Sequence, residues 1–153
     1  MKINFYDTRI RGNRTVLVKE SSVDYNAEPL NSPVSTVKML NSLTSLDSMG
    51  EENCYIIALN TKGRPLGIFL LARGTVNLCI VGPRETFIRA LLIGATHIIL
   101  FHNHPSAICA PSRDDILLTG RIKEAGELIG IPLTDHIIVG KGGYYSFREH
   151  EKL

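Results

Sequence analysis

Thr96-His97-Ile98-Ile99-Leu100-Phe101-His102-Asn103-His104-Pro105 is the stretch from which the fold is best read. Thr96 to Phe101 is short and solidly apolar, which suits a strand buried on both faces. His102 and His104 follow at its end. Residues two apart on extended backbone point to the same face, with α-carbons about 6.5 Å apart. Two imidazole nitrogens can converge on one ion from there. Sites in α/β folds gather beyond strand ends. Alone, His-x-His is a weak signal, because two polar residues can simply close a strand.

Downstream, Asn103 to Pro111 reads as a loop and Ser112 to Ile129 as a helix, with Ile116, Leu117, Ile122, Ala125, Leu128 and Ile129 apolar. Gly130 and Pro132 stop it. Asp115 stands eleven residues beyond His104 and three beyond Ser112. Ser-x-x-Asp resembles a capping box, although Glu is the usual partner. A capped helix start would also fix Asp115 and aim it back at the histidines. Asp114 is its nearest rival, off by one in spacing. Two histidines and one carboxylate leave a fourth tetrahedral position open, as in catalytic zinc sites. Mg²⁺ and Ca²⁺ prefer all-oxygen shells. Hydrolysis also needs a proton carrier that is not a ligand, and composition alone does not choose among Glu51, Glu52 and Glu85.

Upstream, Thr15 to Lys19 reads as a strand and Ser21 to Asn31 as a looser segment. Ser32-Pro33 starts a helix carrying Val34, Val37, Leu40 and Leu43, with Leu46 near its end, and Gly50 closes it. Asn53 to Leu59 and Leu66 to Leu71, joined by Asn60-Thr61-Lys62-Gly63, predict a hairpin. Asn77 to Val81 predicts a further strand. Pro83 starts a helix that Gly94 ends. His136 to Val139 and Tyr144 to Phe147 are late strands around Gly142-Gly143, and the last five residues fray. Hairpin-linked strands argue against a purely parallel sheet.

At 153 residues, one compact domain is expected. The formal charge of +2 is too small to argue for nucleic-acid binding. Arg9, Arg11 and Arg14 read as a solvated cluster. Cys54, Cys79 and Cys109 form no disulfide pattern, so a cytoplasmic protein is expected. No signal peptide or membrane span is read from the sequence.

His102-Asn103-His104-Pro105-Ser106, Pro111-Ser112-Arg113-Asp114-Asp115 and Glu124 to His136 together resemble the RadC-like family of the JAB/MPN (JAMM) metalloprotease superfamily. That signature is Glu … His-x-His-Pro-x₆-Ser-x-x-Asp, and the spacing here matches it. Pro83-Arg84-Glu85 and Leu59-Asn60 are similar too. The resemblance covers roughly Ser32 to Phe147. It implies a single-domain α/β fold of JAB/MPN (cytidine-deaminase-like) type, a mixed β-sheet flanked by helices. The domain would span 32–148, after an N-terminal strand and linker segment at 1–31 and before a tail at 149–153. It implies Zn²⁺ on His102, His104 and Asp115. It selects Glu52, eight residues before Asn60, as the base that activates water, and gives Ser112 either the developing oxyanion or the hydrogen-bond partner of the water. The implied reaction is peptide or isopeptide hydrolysis by a zinc metallopeptidase, with a peptide or protein as partner and no membrane.

One departure stands at position 107, where the family has Gly and this chain has Ala. Glycine tolerates backbone angles that alanine does not, so the loop beside the metal is expected to differ. Cys109 reads as an incidental loop cysteine, Asp135-His136 as structural with a hydrogen bond that orients a ligand, and Arg84 as a loop brace. The rival readings are a DNA-repair or mobile-element-associated nucleic-acid-binding protein and a non-catalytic MPN interaction module. The first lacks a basic run interleaved with aromatics, and the second conflicts with the full set of motif residues. Consecutive His-Asn-His is no HNH nuclease, whose residues are spread over a ββα unit. Zinc deaminases need His-x-Glu and Pro-Cys-x-x-Cys, and neither occurs.

Overall fold

The computed structural model describes residues 1–25, 30, 32–74 and 81–153. The predicted strand at Asn77 to Val81 lies, but for Val81, outside them. The described strands are β1 (Lys2–Arg11), β2 (Arg14–Asp24), β3 (Asn53–Leu59), β4 (Pro65–Arg73), β5 (His97–Asn103), β6 (Leu133–Gly140) and β7 (Gly143–Ser146). They form one mixed sheet in the order β2-β1-β4-β3-β5-β6-β7. β5 and β6 are parallel and β3 is antiparallel to both β4 and β5. The single-domain α/β reading holds.

Helices α1 (Pro33–Thr44), α2 (Pro83–Leu92) and α3 (Arg113–Ile129) cover the sheet. Side-chain alternation along the strands divides the core. Met39, Leu40 and Leu46 pack with Tyr55, Ile57, Phe101 and Ile137 on the α1 face. Phe87, Ala90 and Ile122 pack with Cys54, Ile56, Ile98 and Leu100 on the α2/α3 face. Continuing Ile98, Leu100, the alternation puts His102 on the α3 side, and this orientation positions the site.

Several boundaries shift from the sequence reading. The N-terminal segment is a long hairpin: β1 pairs antiparallel with β2 and parallel with β4, so the segment read as loose from Ser21 continues as strand to Asp24. α1 starts at the Ser32 cap as expected but ends at Ser45, whose φ of 52° is left-handed, ahead of Gly50. A short 3-10 turn then buries Leu46. β5 runs past Phe101 to Asn103, because Cys54 still pairs with His102 across the sheet. The apolar reading of α3 is partly overturned. Ile116, Leu117, Leu128 and Ile129 are exposed. The buried row is Asp115, Thr119, Ile122 and Gly126, a helical repeat whose first two members are polar because they face the site.

Candidate metal centre

The α3 N-terminus is built by the capping box that the sequence suggested. Ser112 Oγ accepts the Asp115 N–H at 3.1 Å, while Asp115 Oδ2 accepts both the Ser112 N–H and the Ser112 hydroxyl at 2.7 Å. Asp115 is thereby locked with Oδ2 toward its own cap and Oδ1 toward the sheet. His102 Nε2 lies 3.1 Å from Oδ1, His104 Nε2 lies 3.3 Å from Oδ2, and the two Nε2 atoms are 3.0 Å apart. Among the described residues, His102, His104 and Asp115 form the group able to hold an ion. Ligand atoms about 2.0–2.2 Å from a tetrahedral zinc stand about 3.3–3.5 Å from one another, so the observed spacing fits one with small adjustment.

The hydrogen bonds behind the ligands fix which nitrogen carries a proton. Thr119 has one hydroxyl proton. The main-chain carbonyl of Asp115 can only accept, so it takes that proton at 2.6 Å. Thr119 Oγ1 then accepts from His136 Nδ1–H at 2.7 Å. His136 Nε2 is left as an acceptor and receives His102 Nδ1–H at 2.9 Å. His104 Nδ1–H donates to the Ile108 carbonyl at 2.8 Å. Both ligand histidines therefore turn a lone pair toward Asp115. Lone pairs from two imidazoles and a carboxylate meeting at about 3 Å repel one another unless a cation lies among them. Burial opposes ionisation of Asp115, and a cation placed among the three groups would outweigh that cost, as protons on the histidines would, and bring the carboxyl well below its ordinary range. Burial and the neighbouring His102 push His136 well below the usual histidine value, so it is neutral, as the proton count requires.

Glu52 and Glu51 part company at the start of β3. Glu51 is exposed and lies 3.9 Å from Arg73. Glu52 is half-buried beside the cluster. Burial raises its pKa, and His102, Asp115 and His104 all act on it electrostatically. Glu85 is exposed and pairs with Arg84 at 3.4 Å. Asp114 is exposed too, as its spacing suggested. Cys109 stands outside the ion-binding group, and burial raises its thiol. Arg9 pairs with Asp7 and Glu20.

Ala107 takes φ 65°, the left-handed region that favours glycine. The loop thus keeps a glycine-type backbone at that position and carries the substitution as strain. Gly140, at the end of β6, is what lets this loop close. A Cβ there would lie 2.8 Å from both the Ala107 carbonyl and the Cys109 sulfur.

A model of the RadC-like JAB domain matches residues 30–153. The chain belongs to the RadC-like JAB family. It is 44% identical over 118 residues to a UPF0758 protein of Clostridium botulinum, a match covering 77% of this chain and 51% of that protein. It is 39% identical over 126 residues to a UPF0758 protein of Thermotoga maritima, covering 82% and 55%. The chain spans about half the length of these curated relatives. The hairpin β1–β2 precedes the part that the JAB domain model matches. No described helix is long and apolar enough to cross a membrane.

Three residues beside this candidate centre make hydrogen bonds that the motif does not report. His136 was read as structural with an orienting bond, and it supplies one. Thr119 and Asn103 were missed. A threonine four residues after Asp115 on the buried row of α3 was the available signal for the first.

Proposed function

We propose that the chain is a zinc-dependent hydrolase of the JAB type that cleaves a peptide or isopeptide bond in a protein or peptide substrate. The observation that carries this reading is the convergence of His102 Nε2, His104 Nε2 and the Asp115 carboxylate, with Glu52 beside them and outside the ligand set. The donor set of two neutral imidazoles and one carboxylate suits Zn²⁺. Zinc, when bound, supplies a Lewis acid that acidifies a water and polarises a carbonyl.

The chain's own residues do the rest. Glu52 takes a proton from the attacking water and returns it to the leaving amine. Burial raises its pKa toward the working range, where a general base is most effective. Ser112 first holds Asp115, since its single hydroxyl proton goes to Oδ2. It serves the developing oxyanion by rotating that proton away, while Oδ2 keeps the Ser112 N–H. We place the protein in the cytoplasm, where a thiol such as Cys109 stays reduced.

Glu52→Gln tests the assignment on a panel of peptide and isopeptide substrates. It should bind zinc as wild type does and lose hydrolysis. Cleavage at the wild-type rate would remove Glu52 from the mechanism.

A further inference from the structure

Alternation along β5 sends Asn103 to the opposite side from its two histidine neighbours. It is 1% exposed there, and its carboxamide binds the segment that carries Glu52. Oδ1 accepts the Asn53 N–H at 2.8 Å, while Nδ2 donates to the carbonyls of Glu51 at 3.0 Å and Met49 at 3.3 Å. The orientation is fixed, since a flip would set an NH₂ against an N–H and an oxygen against two carbonyls.

The location of the bonds matters. Backbone pairing between β3 and β5 ends at Cys54 and His102. One residue further, the Asn103 side chain takes over the role of the ladder. It grips the main chain on both sides of Glu52, at Glu51 O and Asn53 N. The Glu52 carbonyl is held from the other side by the Gly74 N–H at 2.8 Å. Arg73 Nε–H donates to Asn53 Oδ1 at 3.0 Å, and Asn53 Nδ2–H donates to Glu51 O at 2.8 Å.

We propose that Asn103 is a positioning residue: its carboxamide clamps the Met49–Asn53 segment to the end of β5 and so holds Glu52 at a fixed place beside His102, His104 and Asp115. This rests on the hydrolase reading only for its consequence in catalysis; the clamp itself is measurable without turnover. One residue-pair step thus does two jobs. The histidines of His-Asn-His face the ion, and the residue between them ties in the base. Asparagine suits the middle position because it offers one acceptor and two donors in a plane from a short stem.

The test is Asn103→Leu, which keeps bulk and removes all three bonds, with Asn103→Ser measured alongside. The serine adds no bulk, and its hydroxyl is too short to span the three groups. Three readouts are taken: amide exchange of Asn53, the ¹³C-carboxyl titration of Glu52 in the zinc-free chain, and zinc stoichiometry. A clamp predicts that the Asn53 amide loses protection while α3 and β6 keep theirs. It predicts that the Glu52 midpoint falls toward the ordinary value of about 4.3, and that one zinc per chain is still bound. Wild-type Asn53 protection and an unmoved Glu52 midpoint in a folded variant would overturn the proposal. So would loss of protection spread evenly through the sheet in both variants, which marks a merely structural residue. If wild type itself cleaves nothing, the hydrolase reading fails while these three readouts still decide the clamp. With an active wild type, either variant should lower kcat and leave KM nearly unchanged.

Discussion

Two buried carboxylates, Asp115 and Asp135, lie in the same molecule and behave oppositely. Asp135 is 1% exposed and Asp115 is 7% exposed. Each oxygen of Asp135 has a donor from its own neighbourhood, Ser146 Oγ–H at 2.7 Å and the Arg148 N–H at 3.1 Å. That network is closed, and burial pushes the Asp135 carboxyl up. Asp115 satisfies one oxygen at the helix cap and turns the other to His102, whose facing nitrogen carries a lone pair. Its network closes only around a cation. Asp135 and His136 are adjacent on β6, so one step along a strand separates a closed cluster from the candidate metal group. Burial of a charge therefore does not mark a site. Acceptors converging without donors do.

The largest effect should come from opening that contrast at Asp115. Asp115→Asn places an NH₂ on a group that must only accept, and it should abolish stoichiometric zinc binding, whereas Asp135→Asn should leave zinc affinity unchanged. Calorimetric titration with zinc checks both. His136→Ala removes the acceptor that fixes His102. It should weaken zinc about 10–100-fold, the usual loss for a ligand's outer partner, without changing stoichiometry. An unchanged affinity would show that His102 does not depend on the His136–Thr119 chain.

Smaller effects concern stability. The folded pKa of Asp135 is raised above the unfolded value of about 3.9. Between those two values the folded chain holds more protons than the unfolded one. This contribution is full below about pH 3.9 and is lost as pH rises through the folded pKa. Asp135→Asn removes it, so the variant should gain relative to wild type as pH rises across that window in urea unfolding. The smallest change is Ala107→Gly. Relief of a left-handed alanine is worth about 1–2 kcal/mol and the added freedom of the unfolded chain takes back about 0.4–1 kcal/mol. A Tm rise of no more than about 6 °C is expected for a chain of this size, seen by calorimetry of the zinc-free protein.

The parts of the candidate site that were legible in the sequence were those set by local geometry. Strand alternation aligned His102 with His104, and the Ser112 cap fixed Asp115, so both followed from spacing of two and three residues. Glu52 needed the family resemblance, because position along the chain does not separate it from Glu51. The face of α3 was misjudged because the apolar count favoured Ile116, Leu117 and Leu128, while the helix buries Thr119 against His136. The Thr119–His136–His102 chain joins residues 17 and 34 apart, and no local periodicity reports such contacts. The hairpin β1–β2 was half-read for a related reason. Its strands are largely solvent-facing, with Ile10 78% exposed, so they lack the alternation that marks a half-buried strand.

Whether His102, His104 and Asp115 close around one ion is decided by metal analysis of purified protein after reconstitution with zinc, beside His104→Ala. One zinc per wild-type chain is expected, and none retained by the variant. Wild type without stoichiometric zinc, or a variant that retains it fully, would mean that these three residues do not hold the ion.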